Sequence, residues 1–247
     1  MSILMRMRRR NTLIGGAYNY VTNLVASWQF ENDFLDYTGN HPATATGTVT
    51  NNTPGKVGNE ADFKGTSDYL TVTNNADFSF TDGVNDLPFS IAFWVKFDAQ
   101  AIAAALISKR NSANKREWQL FNTSGTGIFV FDVMNPTTSL MRITVNSPFT
   151  NSIWYHVVAT YDGSKTKEGM TLYIDTVSVG ARSEIGTYTG MVADIEDVTI
   201  GAGSYSPSIT SLNGSMDEVK VYKNRVLTAD EILNMYNLEN AGTSVLP

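Results

Sequence analysis

Runs that alternate apolar with polar residues recur along this chain, separated by clusters of Gly, Asn, Asp and Ser, and that two-residue period marks half-buried β-strands. In Phe89 to Phe97, the residues Phe89, Ile91, Phe93, Val95 and Phe97 fall on one face, and Ser90, Ala92, Trp94 and Lys96 on the other. The first face is the expected core side. Burying one such large side chain contributes about 1.5–3 kcal/mol, so this strand is expected to anchor the core. Met216 to Tyr222 also alternates, after the turn pair Asn213-Gly214. One convincing helix follows. Thr228 is placed to accept the N3 amide proton while Glu231 reaches back to the Thr228 amide, a reciprocal capping box, and Ile232, Leu233 and Tyr236 supply an apolar side. Many short strands and a single helix in 247 residues predict one all-β domain of two packed antiparallel sheets, long enough to bury a large core. No internal repeat or low-complexity segment interrupts it.

Five segments, in order, carry a family resemblance. They are Trp28-Gln29-Phe30-Glu31 followed by Asp36; the glycine-spaced Gly55 to Gly65 with Ser67-Asp68-Tyr69-Leu70; Phe89 to Lys96; Trp154 to Gly163; and the closing strand and helix, Leu212 to Tyr236. Together they resemble the LamG-like jelly-roll domains of the concanavalin A-like lectin/glucanase superfamily, over roughly Leu24 to Glu239. The resemblance implies a two-sheet antiparallel jelly-roll sandwich with a short C-terminal helix, over residues 24–247, preceded by an extended basic arm, residues 1–23. Thr176 stands where the family usually has glycine after Leu172-Tyr173-Ile174-Asp175, so a different turn type is expected there.

Composition narrows the setting. The chain has no cysteine, which excludes disulfides, zinc-thiolate sites and thiol nucleophiles. Its net charge of −6 is uneven, because Arg6, Arg8, Arg9 and Arg10 lie in the arm; the other 14 of 18 basic residues face 24 acids, leaving −10. A body this acidic repels nucleic-acid phosphates. The arm lacks the 7–15-residue apolar core of a signal peptide, so it is expected to be retained and to dock onto a neighbouring subunit; folding along its own domain is the other reading. With no leader and no apolar span, a virion component made in a host cytoplasm is expected, such as a bacteriophage capsid decoration or fibre-type protein contacting other capsid subunits through the arm. An extracellular or cell-surface location is the alternative.

The chemistry-bearing residues point away from catalysis. Glucanases of this fold need paired carboxylates across a sugar cleft, and the nearest cluster, Asp194-Ile195-Glu196-Asp197, places only Asp194 and Glu196 on one face, as a solvated acidic rim would. His41, before Pro42, and His156, between Tyr155 and Val157, read as structural. Asp217 is in phase with Val219 and Val221, and Asp68 with Leu70 and Val72, so each brings a carboxylate onto an apolar face, which is costly without a partner. The resemblance implies a structural calcium there, with Asp36 in the opening loop; the other reading is a carboxylate accepting turn amides or pairing with Arg225. Sugar-binding candidates are Tyr188 and Tyr205 in Gly- and Ser-rich loops, with Arg116 and Trp118, although Trp118 alternates with Leu120 and also reads as core. Two functions from different classes follow: a structural virion protein with a lectin-like jelly roll that can adhere to cell-surface glycans, or a free-standing carbohydrate-binding module. A glycoside hydrolase stands third.

Overall fold

The structure is a computed structural model that describes residues 18–65, 67–99, 104–112, 115–123, 127–136, 139–205 and 208–246. The strands are β1 Leu24–Trp28, β2 Ala43–Thr46, β3 Thr50–Pro54, β4 Asn59–Lys64, β5 Tyr69–Val72, β6 Phe89–Phe97, β7 Ala104–Ser112, β8 Lys115–Asn122 and β9 Ile128–Met134. They continue as β10 Leu140–Asn146, β11 Trp154–Tyr161, β12 Met170–Ile174, β13 Val177–Val179, β14 Ala181–Ile185, β15 Val198–Ile200, β16 Ala202–Tyr205, β17 Ser208–Ser211 and β18 Asn213–Lys223, and helix α1 spans Ala229–Asn240. Two eight-stranded antiparallel sheets form the sandwich. The first runs β13-β12-β11-β6-β18-β4-β3 with β1 also on β18, and the second runs β14-β10-β9-β8-β7-β15-β5-β2. β16 and β17 make a separate ribbon.

The alternation in β6 holds on the core side, where Phe89, Ile91, Phe93, Val95 and Phe97 join the main apolar cluster between the sheets. The opposite face is covered too. There Ala92, Val158 and Tyr222 pack with Leu227, Ile232 and Met235 in a second cluster, so α1 lies on the outer face of the first sheet. The helix begins as expected, with Thr228 and Glu231 in a reciprocal capping box. Its buried stripe differs by one position: Met235 is buried while Leu233 stays exposed. Trp94 is sealed beneath it, stacked on Tyr236 at 5.4 Å between ring centroids and donating to Glu239 Oε2 at 2.7 Å.

Local backbone overrides the pattern in three places. Asn213-Gly214 is not a turn but the start of β18, paired with β4 and β6. Glycine is needed there because a Cβ would collide with the Lys96 carbonyl oxygen. A bulge between Asp217 and Lys220, with Glu218 at φ 50°, inserts an extra residue into β18. Asp217 therefore sits opposite Trp94 on the helix side, while Met216, Val219 and Val221 face the core. The β12–β13 hairpin turns on Asp175 and Thr176 at φ 46° and 72°. Positive φ at both central residues is the geometry favoured by two-residue hairpins, here imposed on a β-branched side chain.

Arg6, Arg8, Arg9 and Arg10 lie outside the described residues. The root of the arm, residues 18–23, packs on its own domain: the Tyr20 hydroxyl donates to the Glu231 carbonyl at 2.7 Å, and Arg225 donates to the carbonyls of Asn19 and Thr22. No helix among the described residues is long and apolar enough to cross a membrane.

Candidate functional site

The outer face of the second sheet carries a row of polar side chains. On β9 and β10, Phe129, Phe131, Val133, Met141 and Ile143 point into the core, so the alternate residues Val130, Asp132, Met134 and Arg142 point outward. Register then lines up one residue per strand: Thr44, Thr71, Thr199, Ser108, Gln119, Asp132, Arg142 and Ser183 are directly paired in succession across the sheet. Hydrogen bonds tie its middle together. Asp132 accepts both Arg142 Nε at 2.6 Å and Arg142 Nη2 at 2.8 Å, and Gln119 Nε2 at 2.7 Å, while Arg110 donates to Gln119 Oε1 at 3.0 Å. Ser108 and Thr199 share a hydrogen bond at 3.0 Å.

Apolar side chains flank this row. Ala105, Phe121 and Val130 pair along one side, Met134 and Leu140 along the other, and the Arg142 guanidinium lies 5.9 Å from the Phe121 ring centroid. Ser108, Gln119 and Asp132 are 5% exposed or less while the Arg142 side chain keeps 27%, so Arg142 is the accessible member of an otherwise buried row. Its hydrogen bond to Asp132 holds the Arg142 guanidinium more firmly protonated. That two-point pairing holds the Arg142 guanidinium against the Asp132 carboxylate. Sequence reasoning missed this site. An acid inside the apolar run Phe129-Val130-Phe131-Asp132-Val133 was its one local signal.

The residues expected to bind sugar do not assemble. Trp118 is fully buried and donates to the Phe78 carbonyl at 2.9 Å, so it is a core side chain and no platform. Arg116 is buried and donates to the Asn135 carbonyl at 3.0 Å. Tyr188 is buried as well: its hydroxyl donates to Asp86 Oδ2 at 2.7 Å, beside the Tyr161 hydroxyl at 2.9 Å, and the Met191 amide reaches Asp86 Oδ1 at 2.7 Å. Burial first, and the Asp86 charge second, push the Tyr188 phenol upward. Tyr205 ends β16 opposite Ser208, and its side chain lies outside the described residues.

Nor do the proposed calcium ligands converge. Asp36 accepts the amides of Ser27, Thr38, Asn40 and His41. Asp68 accepts the amides of Thr48 and Lys64 and the Thr48 hydroxyl; burial pushes its carboxyl up, but these hydrogen bonds outweigh it and hold the group below its usual value. Asp217 accepts the amides of Val57 and Glu218. Each carboxylate is already engaged by N–H donors, and no group of three His, Asp or Glu residues among those described could hold a metal. These residues do not fit a calcium site. The melting temperature is therefore expected to be the same in calcium and in EDTA; a rise with calcium would restore the cation.

The remaining candidates are separate. Asp194 Oδ1 accepts the Ile195 amide and Glu196 pairs with Lys115. His41 Nε2 lies 3.2 Å from Asp77 and its carbonyl accepts Trp28 Nε1, whereas His156 is buried 5.0 Å from Trp94 with no hydrogen-bond partner for either ring nitrogen, its Nε2 lying 3.8 Å from Glu239 Oε2. His156 belongs to a polar centre beneath α1. Lys220 Nζ donates to Glu239 Oε1 at 2.7 Å and to the Glu218 carboxylate, and all three side chains are fully buried. Burial pushes the Glu239 carboxyl up to about 7, lowers His156 to about 3 and, helped by the Glu218 charge, raises Asp217 to about 9.

Comparison with known structures returns toxin binding domains. The binding domain of botulinum neurotoxin DC, solved with rat synaptotagmin II, superposes with a TM-score of 0.66 at 18% identity over 88% of this chain and 52% of that one. A botulinum neurotoxin type C structure, whose passage into cells is described as dependent on interaction with two ganglioside molecules, matches with a TM-score of 0.66 at 18% identity over 88% and 51% of the two chains. The binding domain of Paraclostridial Mosquitocidal Protein 1 matches with a TM-score of 0.65 at 18% identity over 87% and 52%. The chain thus spans about half the length of each, and the likeness is one of fold. No curated protein sequence matches. The Laminin_G_3 family model, described as concanavalin A-like lectin/glucanases superfamily, matches residues 64–233, well over half of the sequence, and the chain belongs to that family.

Proposed function

We propose that this chain is a non-catalytic carbohydrate-binding domain whose ligand lies along the outer face of the second sheet. The observation that carries this reading is the accessible Arg142 guanidinium, fixed by the buried Asp132 and Gln119 and lying 5.9 Å from the Phe121 ring centroid. Sugars present hydroxyl edges and apolar C–H faces, and a fixed polar group beside an aromatic ring suits both. The ganglioside dependence described for one structural neighbour supports a glycan as the ligand class. A narrower reading, a virion surface protein of the capsid decoration or fibre type, draws its support from the basic arm with Arg6, Arg8, Arg9 and Arg10. Association of the purified chain with particles tests that narrower reading.

The full chain is expected to retain glycans on an array of neutral and acidic oligosaccharides. Phe121→Ala removes the ring beside the accessible Arg142 and leaves the Asp132–Arg142 pair intact, so it is expected to weaken binding about tenfold, the equivalent of about 1.4 kcal/mol. A folded variant that binds as tightly as the parent would move the site elsewhere.

A further inference from the structure

One end of the sandwich exposes apolar side chains that nothing in the described structure covers. Val84 is 77% exposed and Ile195 74%, with Val192 beside the same loops. Flexibility of the loops does not explain this exposure, because they are fastened to each other: the Met191 amide donates to Asp86, the Asn74 amide donates to Asp197, and the Lys165 ammonium holds the Val84 carbonyl at 2.7 Å. The segments 74–86 and 187–197 contain Asp77, Asp82, Asp86, Asp194, Glu196 and Asp197 and no Lys or Arg. Lys115 pairs with Glu196, His41 contacts Asp77, and the Lys109, Lys165 and Lys223 ammonium groups donate to the Asp194, Val84 and Ala76 carbonyls, so the carboxylates are partly compensated.

The segment that matches this surface is in the same chain. Residues 1–17 combine Ile3, Leu4, Met5 and Met7 with Arg6, Arg8, Arg9 and Arg10 and contain no acid. They join at Tyr18, which lies against Tyr20 beside α1, and the root runs from there to the loop: the Lys223 amide donates to the Asn23 carbonyl, the Lys223 ammonium donates to the Ala76 carbonyl, and the Asn224 amide donates to the Pro88 carbonyl. The root of the arm is thereby tied to both ends of the loop that carries Val84. Seventeen residues reach about 55 Å when extended, more than enough to cover this end of one domain. We propose that residues 1–17 seat on the loop pair 82–86 and 191–197 of their own chain, apolar side chains against Val84, Val192 and Ile195 and arginines against the surrounding carboxylates.

Because the chain has no cysteine, Ser2→Cys creates a unique site for a paramagnetic label on the full-length protein. The expected result is at least about a twofold loss of amide signal at residues 82–85 and 191–197, reversed in about 1 M salt, where the Debye length falls to about 3 Å. Val84→Lys with Ile195→Lys, at two exposed positions, is expected to abolish the loss without unfolding the domain. Broadening spread evenly over the surface, or confined to another face, would overturn the proposal. So would broadening seen only when labelled and isotope-enriched copies are mixed, which would place the arm on a second copy and favour arm-mediated assembly.

Discussion

Lys220→Met lowers the stability of this domain by about 3–5 kcal/mol, because removing one partner of a buried ion pair leaves its counter-charges uncompensated. Lys220 is the cation that both Glu218 and Glu239 face, and all three are sealed between α1 and the first sheet. Methionine fills a similar volume, so packing is nearly conserved and the loss is electrostatic. At about 2–4 °C per kcal/mol for a chain of this size, the melting temperature should fall by about 6–20 °C. Adding Glu218→Gln and Glu239→Gln removes the stranded carboxylates and is expected to restore most of it, since neutral side chains can keep the hydrogen bonds from Trp94 and Ser244. A Lys220→Met protein as stable as the parent would mean that the centre holds no net charge to strand.

How far the sequence foretold this molecule depends on the range over which each feature is determined. β6 and the capping box of α1 are set within ten residues by alternation and by one Thr–Glu pair, and both stand as read. The landing place of α1 was illegible, because Trp94, Ala92 and Lys96 share a face whose burial depends on a helix more than 130 residues later. Asp217 misled for a different reason: the bulge at Glu218 inserts a residue, and phase counted through it changes sides. Tyr188 was read as exposed from its loop composition, yet Asp86, 102 residues away, holds its hydroxyl. The polar row was visible only as one misplaced acid, since Gln119, Asp132 and Arg142 meet through strand register that no local pattern specifies.

Raising the pH from about 7 to about 9 is expected to cost this domain about 2–3 kcal/mol, at 1.36 kcal/mol per pH unit for each proton that the folded chain holds and the unfolded chain gives up. Asp217 is raised from 3.8 to about 9 and Glu239 from 4.5 to about 7, in both cases by burial first. A carboxyl raised in the folded state stabilises it at low pH, and that contribution is lost as the pH climbs through the folded value. His156 works in the opposite sense: lowered from 6.5 to about 3, it destabilises the fold as the pH falls below 6.5. Between about 4.5 and 6.5 the Glu239 and His156 effects largely offset each other, and above 7 the slope belongs to Asp217. Burial also raises Glu117 and Asp175, which act in the same direction. Urea titrations at the two pH values measure the difference directly. Asp217→Asn keeps an oxygen for the Val57 amide but has no proton to lose, so it should flatten the alkaline slope. A parent whose stability is level or rising from pH 7 to 9 would mean that Asp217 is already ionised beneath the bulge.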